Sequence, residues 1–210
     1  MAEPTTMNAV IHAAVRRDLR RLDAALAAPP AAQPGRARQL RTGYAHLHDQ
    51  LGKHHQQEEE LVFPALQRLG VDTTLIGEME DEHAAMVAAL GETATAMTTY
   101  AASPSAESAA QARQSVLATQ QVVERHLAHE EAELEPRIAP HLDSEEWKAV
   151  EKQFRKQPPT VVGRFFAWLT DDADPASAAY LRSTIPAPVV AVLSKVLGRG
   201  YQKQIAPIWR

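Results

Sequence analysis

Between residues 36 and 69, apolar side chains recur every three or four positions, which is the periodicity of an amphipathic helix. The series runs through Leu40, Tyr44, Leu47, Leu51, Leu61, Ala65 and Leu69, and the polar residues His54 and Glu58 occupy the same face between Leu51 and Leu61. Comparable series occupy residues 6–28, 72–102 and 105–138, and prolines at 29, 30, 34 and 104 stand between the series. Because proline interrupts helices, the pattern predicts four long helices with these bounds.

Residues suited to cap helices precede these segments. Thr5 or Thr6, Asp72, and Ser103 or Ser105 are the predicted N-caps. The connections between the four predicted helices are short, which favours antiparallel neighbours. We therefore predict an all-α fold, built as an antiparallel up-down four-helix bundle with a C-terminal helical extension.

The pattern changes at Asp143. Shorter amphipathic segments follow, separated by Pro and Asp clusters, and the net charge changes from −7 over residues 1–140 to +3 over residues 141–210. We therefore divide the chain into a four-helix bundle, 1–142, and a helical extension, 143–210. Apolar clusters such as Phe165-Phe166 and Trp168-Leu169 predict that the extension packs on the bundle, on a partner, or on a second copy in a homodimer.

The composition of the chain excludes several classes of protein and of functional site. The chain has 210 residues, a net charge of −4 and no cysteine. The acidic balance argues against a nucleic-acid partner, and the lack of cysteine excludes disulfides, thiolate metal sites and a cysteine nucleophile. No apolar run has the length of a membrane span, and the N-terminus lacks the features of a signal peptide, so we expect a cytoplasmic protein.

Polar residues interrupt the apolar face of every predicted bundle helix. Each of the four faces contains a histidine, and two also contain a glutamate four residues later: His12, His54 with Glu58, His83, and His126 with Glu130. Burying such groups without partners costs several kcal/mol each. Imidazoles and carboxylates converging from four helices are suitable ligands for first-row metals, and carboxylates can bridge two ions.

These polar residues occur in two matching halves. The spacing His54-x3-Glu58-x5-Pro64 recurs 72 residues later as His126-x3-Glu130-x5-Pro136. His12 lies 42 residues before His54, and His83 lies 43 residues before His126. Such a repeat is what a site with approximate two-fold symmetry and two metal ions requires.

One alternative register stays open. His55 and Glu59 have the same spacing but lie one residue further along, about 100° around the helix from His54 and Glu58. They are the ligands if the register is shifted by one. We do not expect the remaining histidines to bind metal: His46, His48, His129 and His141.

The residues quoted so far resemble a known family. His12, HHQQEEELVFP at 54–64, DEH at 81–83 and HLAHEEAELEP at 126–136 resemble the hemerythrin-like (HHE cation-binding) family over about residues 6–140. The resemblance implies a non-haem di-iron centre bridged by an oxo or hydroxo group. In that reading His12 and His54 bind one iron, His83 and His126 bind the other, and Glu58 and Glu130 bridge them.

Two positions depart from the oxygen-carrying members of the family. Met79 stands where they have a second histidine, and His126-x3-Glu130 replaces a His-x4-Asp pair. The set of four histidines and two glutamates is more similar to that of bacterial iron-cluster-repair proteins. A metal with fewer protein ligands has more open positions, which favours redox chemistry or exchangeable iron. We therefore expect a protein that binds iron and O2, NO or peroxide for sensing, storage or redox defence. The alternative is a di-iron oxidoreductase acting on peroxide, nitrogen oxides or a small organic substrate.

Overall fold

The computed structural model describes residues 6–210, which are almost entirely helical and contain no strand. The bundle consists of α1 (Met7–Ala27), α2 (Pro34–Gln57), α3 (Phe63–Arg68), α4 (Thr73–Ala102), α5 (Ala106–His129) and α6 (Glu135–Ile138). Two π-helical turns, Glu58–Val62 and Glu130–Leu134, join α2 to α3 and α5 to α6. The four predicted helices are thus present, two of them continuing through a π turn.

The bundle has the predicted topology. Helix α1 packs between α2 and α5, and α4 packs between the same two helices on the other side. Thr6, Asp72 and Ser105 cap α1, α4 and α5, each accepting a hydrogen bond from a backbone N–H of the first turn. Thr5, the alternative cap of α1, lies outside the described residues. The prediction of an all-α bundle with a helical extension is confirmed.

The extension is helical and lies against the bundle. It comprises α7 (Glu145–Phe154), α8 (Pro159–Thr170), α9 (Pro175–Thr184), α10 (Ala187–Ala191), a π-helical segment (Val192–Leu197) and α11 (Arg199–Gln204). Phe166, Trp168, Leu181 and Tyr201 belong to the same apolar core cluster as the leucines of α1 and α2. Helix α8 and the π-helical segment approach closely at Gly163, where an added Cβ would collide with Leu197. The division into domains at residue 142 stays a prediction.

Across residues 6–210, no single helix is both long and apolar enough for a bilayer span. Two consecutive segments reach the required length and apolar composition only when they are taken together, and the chain bends by 116° between them: Pro175–Thr184 and Ala187–Leu197.

Two separate apolar clusters occupy the bundle. The larger one includes Val15, Leu51, Met86 and Val123, and the smaller one includes Phe63, Met79 and Leu134. On α2 and α4 the histidines of interest lie between these clusters in sequence, as do Glu58 after α2 and Glu130 after α5. On α1, His12 lies inside the larger cluster, between Val10 and Ala14. Together these residues form one polar layer beside both clusters.

Candidate metal centre

The polar layer brings together seven buried side chains. Their ligand atoms fall into two groups, within each of which the atoms lie within 4.8 Å of one another. One group is His12, His54 and Glu130, and the other is His55, Glu58, His83 and His126. All six residues predicted as ligands are present in these groups, and His55 is an addition. We call these seven residues the centre.

His54 and His55 are neighbours on α2 but lie on different sides of the centre. The ring of His54 lies beside that of His12, with centroids 5.5 Å apart, whereas the ring of His55 stacks on that of His83 at 4.2 Å. The two histidines are therefore not alternatives, as a shift of register would require. Glu59, the other member of the shifted register, is outside both groups.

The two glutamates stand between the two groups of histidines. Oε1 of Glu58 lies 3.2 Å from Nε2 of His54, and its Oε2 lies 3.5 Å from Nε2 of His83. Oε2 of Glu130 lies 3.2 Å from Nε2 of His12 and 3.7 Å from Nε2 of His126. Each carboxylate thus faces one histidine from either group.

A second set of carboxylates orients the histidines from behind. Nδ1 of His12 donates to Glu131 at 2.8 Å, and Nδ1 of His83 donates to Glu59 at 2.9 Å. Glu131 and Glu59 are related by the 72-residue repeat, so each half of the bundle orients a histidine of the other half. Nδ1 of His126 donates to Glu82 at 2.9 Å. Because each Nδ1 is occupied, each Nε2 is directed into the centre, as is usual for metal-binding histidines.

The π turns explain how two prolines fit inside the helices. Pro64 and Pro136 have no N–H to donate, and a proline in a regular helix collides with the preceding turn. Here the N–H groups of Phe63 and Glu135 bond to the carbonyls of Glu58 and Glu130, five residues back. Each wider turn begins at a glutamate of the centre, and π turns frequently occur at functional sites.

Burial and close charges shift the pKa values of the residues in the centre. Burial disfavours a charged imidazole, but Glu130 and Glu131 outweigh this and raise the pKa of His12 to about 9. Burial and the neighbouring Glu130 raise the pKa of Glu58 well above its usual range. Burial lowers the pKa of His54 to about 3, so this imidazole is neutral and its nitrogen is free to bind a cation.

Hydrogen bonding inside the centre is incomplete. Eight buried side-chain atoms of the seven residues have no hydrogen-bond partner: Nε2 of His12, His54, His83 and His126, both ring nitrogens of His55, and Oε2 of Glu58 and Glu130. Buried polar atoms without partners are rare in folded proteins and call for an explanation such as a missing ion. The donor set, imidazole nitrogen with carboxylate oxygen, suits first-row transition metals.

The remaining histidines lie elsewhere. His48 is exposed on α2 and His141 lies in a short 3₁₀ turn. His129 is partly exposed and donates through Nδ1 to Glu82 at 2.9 Å. His46 is buried rather than at the surface of α2, because α8 and α11 cover it with Trp168 and Tyr201.

Sequence comparison agrees with this picture. The family model described as the hemerythrin HHE cation binding domain matches residues 9–138. The matched region contains all seven residues of the centre. Comparison with curated proteins and with solved structures gave no match.

Proposed function

The chain belongs to the hemerythrin HHE cation-binding domain family, and from that premise we propose that its centre holds two iron ions and binds O2, NO or peroxide. The observation that supports this most strongly is the set of eight buried atoms without hydrogen-bond partners. One ion would be held by His12, His54 and Glu130, and the other by His55, Glu58, His83 and His126. Both glutamates would bridge, because each faces both groups.

Bound iron would supply the redox activity and the attachment point for a small ligand. The protein's own residues supply the rest. Glu131, Glu59 and Glu82 orient the imidazoles, and burial beside the two apolar clusters limits the access of water to the centre. A cation in each group would stabilise the ionised forms of Glu58 and Glu130, whose carboxylates are buried.

The enclosure of the centre favours a small ligand. His54 is the most exposed of the seven residues, and its side chain is only 10% exposed. Two cavities of about 300 and 340 Å³ lie elsewhere, one lined by Leu26 and Ala109 among others, and one by Arg21 and Trp209 among others. Neither is lined by a residue of the centre. A diatomic gas or peroxide fits this enclosure better than an organic substrate does.

Anaerobic reconstitution with Fe(II) tests the proposal. We expect about two iron atoms per chain, and the near-ultraviolet absorption of a bridged di-iron centre after oxidation. Adding O2, peroxide and NO in turn to the reduced protein then identifies the ligand. Sustained turnover of peroxide or nitrogen oxide over many cycles would favour the oxidoreductase. Elemental analysis that finds no bound transition metal after iron-supplemented expression would overturn the proposal.

A further inference from the structure

The two glutamates of the centre have different surroundings on the side that faces away from the histidines. Nδ2 of Asn8 donates to Oε1 of Glu130 at 2.9 Å and also to Oε1 of Glu135 at 3.1 Å. Thr6 donates to Glu135 as well, at 3.2 Å. Glu130 is therefore held through one oxygen by a polar group. Its other oxygen, Oε2, is left to face His12 at 3.2 Å and, further away, His126 at 3.7 Å.

The repeat gives Glu58 the opposite surroundings. Asn8 lies four residues before His12, and the residue four before His83 is Met79. Glu135 lies five residues after Glu130, and the residue five after Glu58 is Phe63. Met79 and Phe63 are buried in the smaller apolar cluster and have no hydrogen-bond donor in their side chains. Both oxygens of Glu58 thus face histidines.

Neither helix capping nor helix propensity explains Asn8. Thr6 already caps α1 by accepting a hydrogen bond from the N–H of Ala9, and asparagine is a weak helix former compared with alanine or leucine. It is the only asparagine in the chain. An amide donor has a further property that suits this position: it can hold a carboxylate without adding charge or taking up a proton.

We infer that Asn8 is a positioning residue that makes the two metal positions unequal. This inference rests on the proposed function. Asn8 fixes Glu130 so that only Oε2 is available to the metals, and this oxygen lies closer to His12 than to His126. Glu58, by contrast, offers both oxygens. The metal beside His55, His83 and His126 therefore binds first and more tightly. The metal beside His12 depends on the orientation that Asn8 imposes on Glu130.

The test is anaerobic titration of the full-length metal-free protein with Co²⁺ alone, against a competing chelator, followed through the visible cobalt bands. We expect two separable binding steps. Asn8→Leu, which removes the donor at similar volume, should weaken the second step about 10–100-fold, the usual effect of losing a group that orients a ligand. The first step should change by less than about three-fold. Met79→Leu, the matched change in the other half, should leave both steps unchanged.

Double variants assign the step. If Asn8 acts through the metal beside His12, Asn8→Leu should not weaken Co²⁺ binding further when His12→Ala is already present. In a His83→Ala background, Asn8→Leu should weaken Co²⁺ binding as much as it weakens the second step of the wild-type protein. Asn8→Ala is measured beside Asn8→Leu, with helix content checked by circular dichroism, so that a packing defect in one variant does not decide the result. Equal weakening of both steps, or no weakening, would overturn the inference alone. A wild-type protein that takes up no Co²⁺ would overturn the proposed function with it.

Discussion

Glu58, Glu59 and Glu60 are consecutive in sequence but have three different environments. Glu58 is 5% exposed and faces His54 and His83. Glu59 is exposed, at 47% of its side chain, and accepts from Nδ1 of His83. Glu60 accepts from exposed Gln56, its neighbour on the surface of the helix. The three positions therefore distinguish a carboxylate of the centre from one that orients a histidine of the centre and from a surface carboxylate.

We expect Glu58→Ala to lose most of the bound metal, because it removes a carboxylate that faces both groups of histidines. Glu59→Ala should weaken metal binding by about 10–100-fold, since His83 loses its orienting partner. Glu60→Ala is the control and should bind metal normally. Iron content and chelator competition measure all three. Equal loss in Glu58→Ala and Glu59→Ala would show that the register of the centre is wrong.

His54 and His55 provide a second test at this scale. Because the structure places them beside different partners, His54→Ala and His55→Ala should each reduce bound iron below two per chain, while His48→Ala should not. A variant of either His54 or His55 that retains two tightly bound iron atoms would remove that residue from the ligand set.

The sequence could identify six residues of the centre but not His55. Helical periodicity assigns one residue per turn to the middle of a buried face, and His55 is about 100° from His54. A centre with two groups of side chains is wide enough for neighbouring histidines to lie on either side of that middle line. The repeat counterpart of His55, Leu127, is an ordinary core residue, so the repeat gives no signal that position 55 contributes to the centre. The orienting roles of Glu59 and Glu131 likewise depend on contacts between helices.

At the scale of helices, the bounds and the topology followed from apolar periodicity and capping residues, whereas the π turns did not. A proline inside a helix indicates a break or a kink, and the sequence does not reveal that a wider turn accommodates Pro64 and Pro136. The burial of His46 depends on α8 and α11, which are more than 100 residues away along the chain. Contacts at that distance leave no mark in local periodicity.

His46 makes the packing of the extension sensitive to pH. Burial, with a smaller contribution from Arg164, lowers its pKa from 6.5 to about 3. Between these values the unfolded chain binds a proton at His46 and the folded chain does not, so stability rises with pH across this window and falls as the solution is acidified. The expected loss from His46 is about 1.4 kcal/mol per pH unit below 6.5.

Urea unfolding at pH 7, 6 and 5 checks this prediction. The wild-type protein should lose more stability on acidification than His46→Gln, and His48→Gln, at an exposed position of the same helix, should behave as wild type. Parallel loss in all three proteins would show that His46 does not contribute.

On the scale of the whole molecule, a buried ionic network connects the bundle to the extension. Asp18 of α1 is fully buried, accepts from Arg17 at 2.9 Å and from Arg21 at 3.1 Å, and also accepts from Nε1 of Trp168 at 2.8 Å. Arg21 also donates to Asp171 at 3.1 Å, and Asp171 accepts from the hydroxyl of Tyr201 at 2.9 Å. The sequence predicted that the aromatic residues of the extension would be covered. It did not predict that a charged side chain of α1 would form a hydrogen bond with one of them.

Asp18→Asn should destabilise the protein by about 3–5 kcal/mol, because it leaves the buried guanidinium of Arg17 without its counter-charge. Asp23→Asn is the matched control: Asp23 pairs with Arg113 at 2.6 Å near the surface, and its loss should cost less than about 1 kcal/mol. Chemical denaturation measures both. Iron per folded chain should be unchanged in both variants, since neither residue belongs to the centre. An Asp18→Asn protein with the same free energy of unfolding as the wild type would show that the network does not stabilise the packing of the extension on the bundle.

The central claim is that the seven residues of the polar layer hold two metal ions. The most direct measurement is a crystal structure of the iron-loaded protein with anomalous diffraction recorded at the iron absorption edge. The account predicts two anomalous peaks about 3.5–4 Å apart, the usual separation in two-metal sites. One peak should lie against His12, His54 and Glu130, and the other against His55, Glu58, His83 and His126. A single peak, or peaks outside this polar layer, would contradict it.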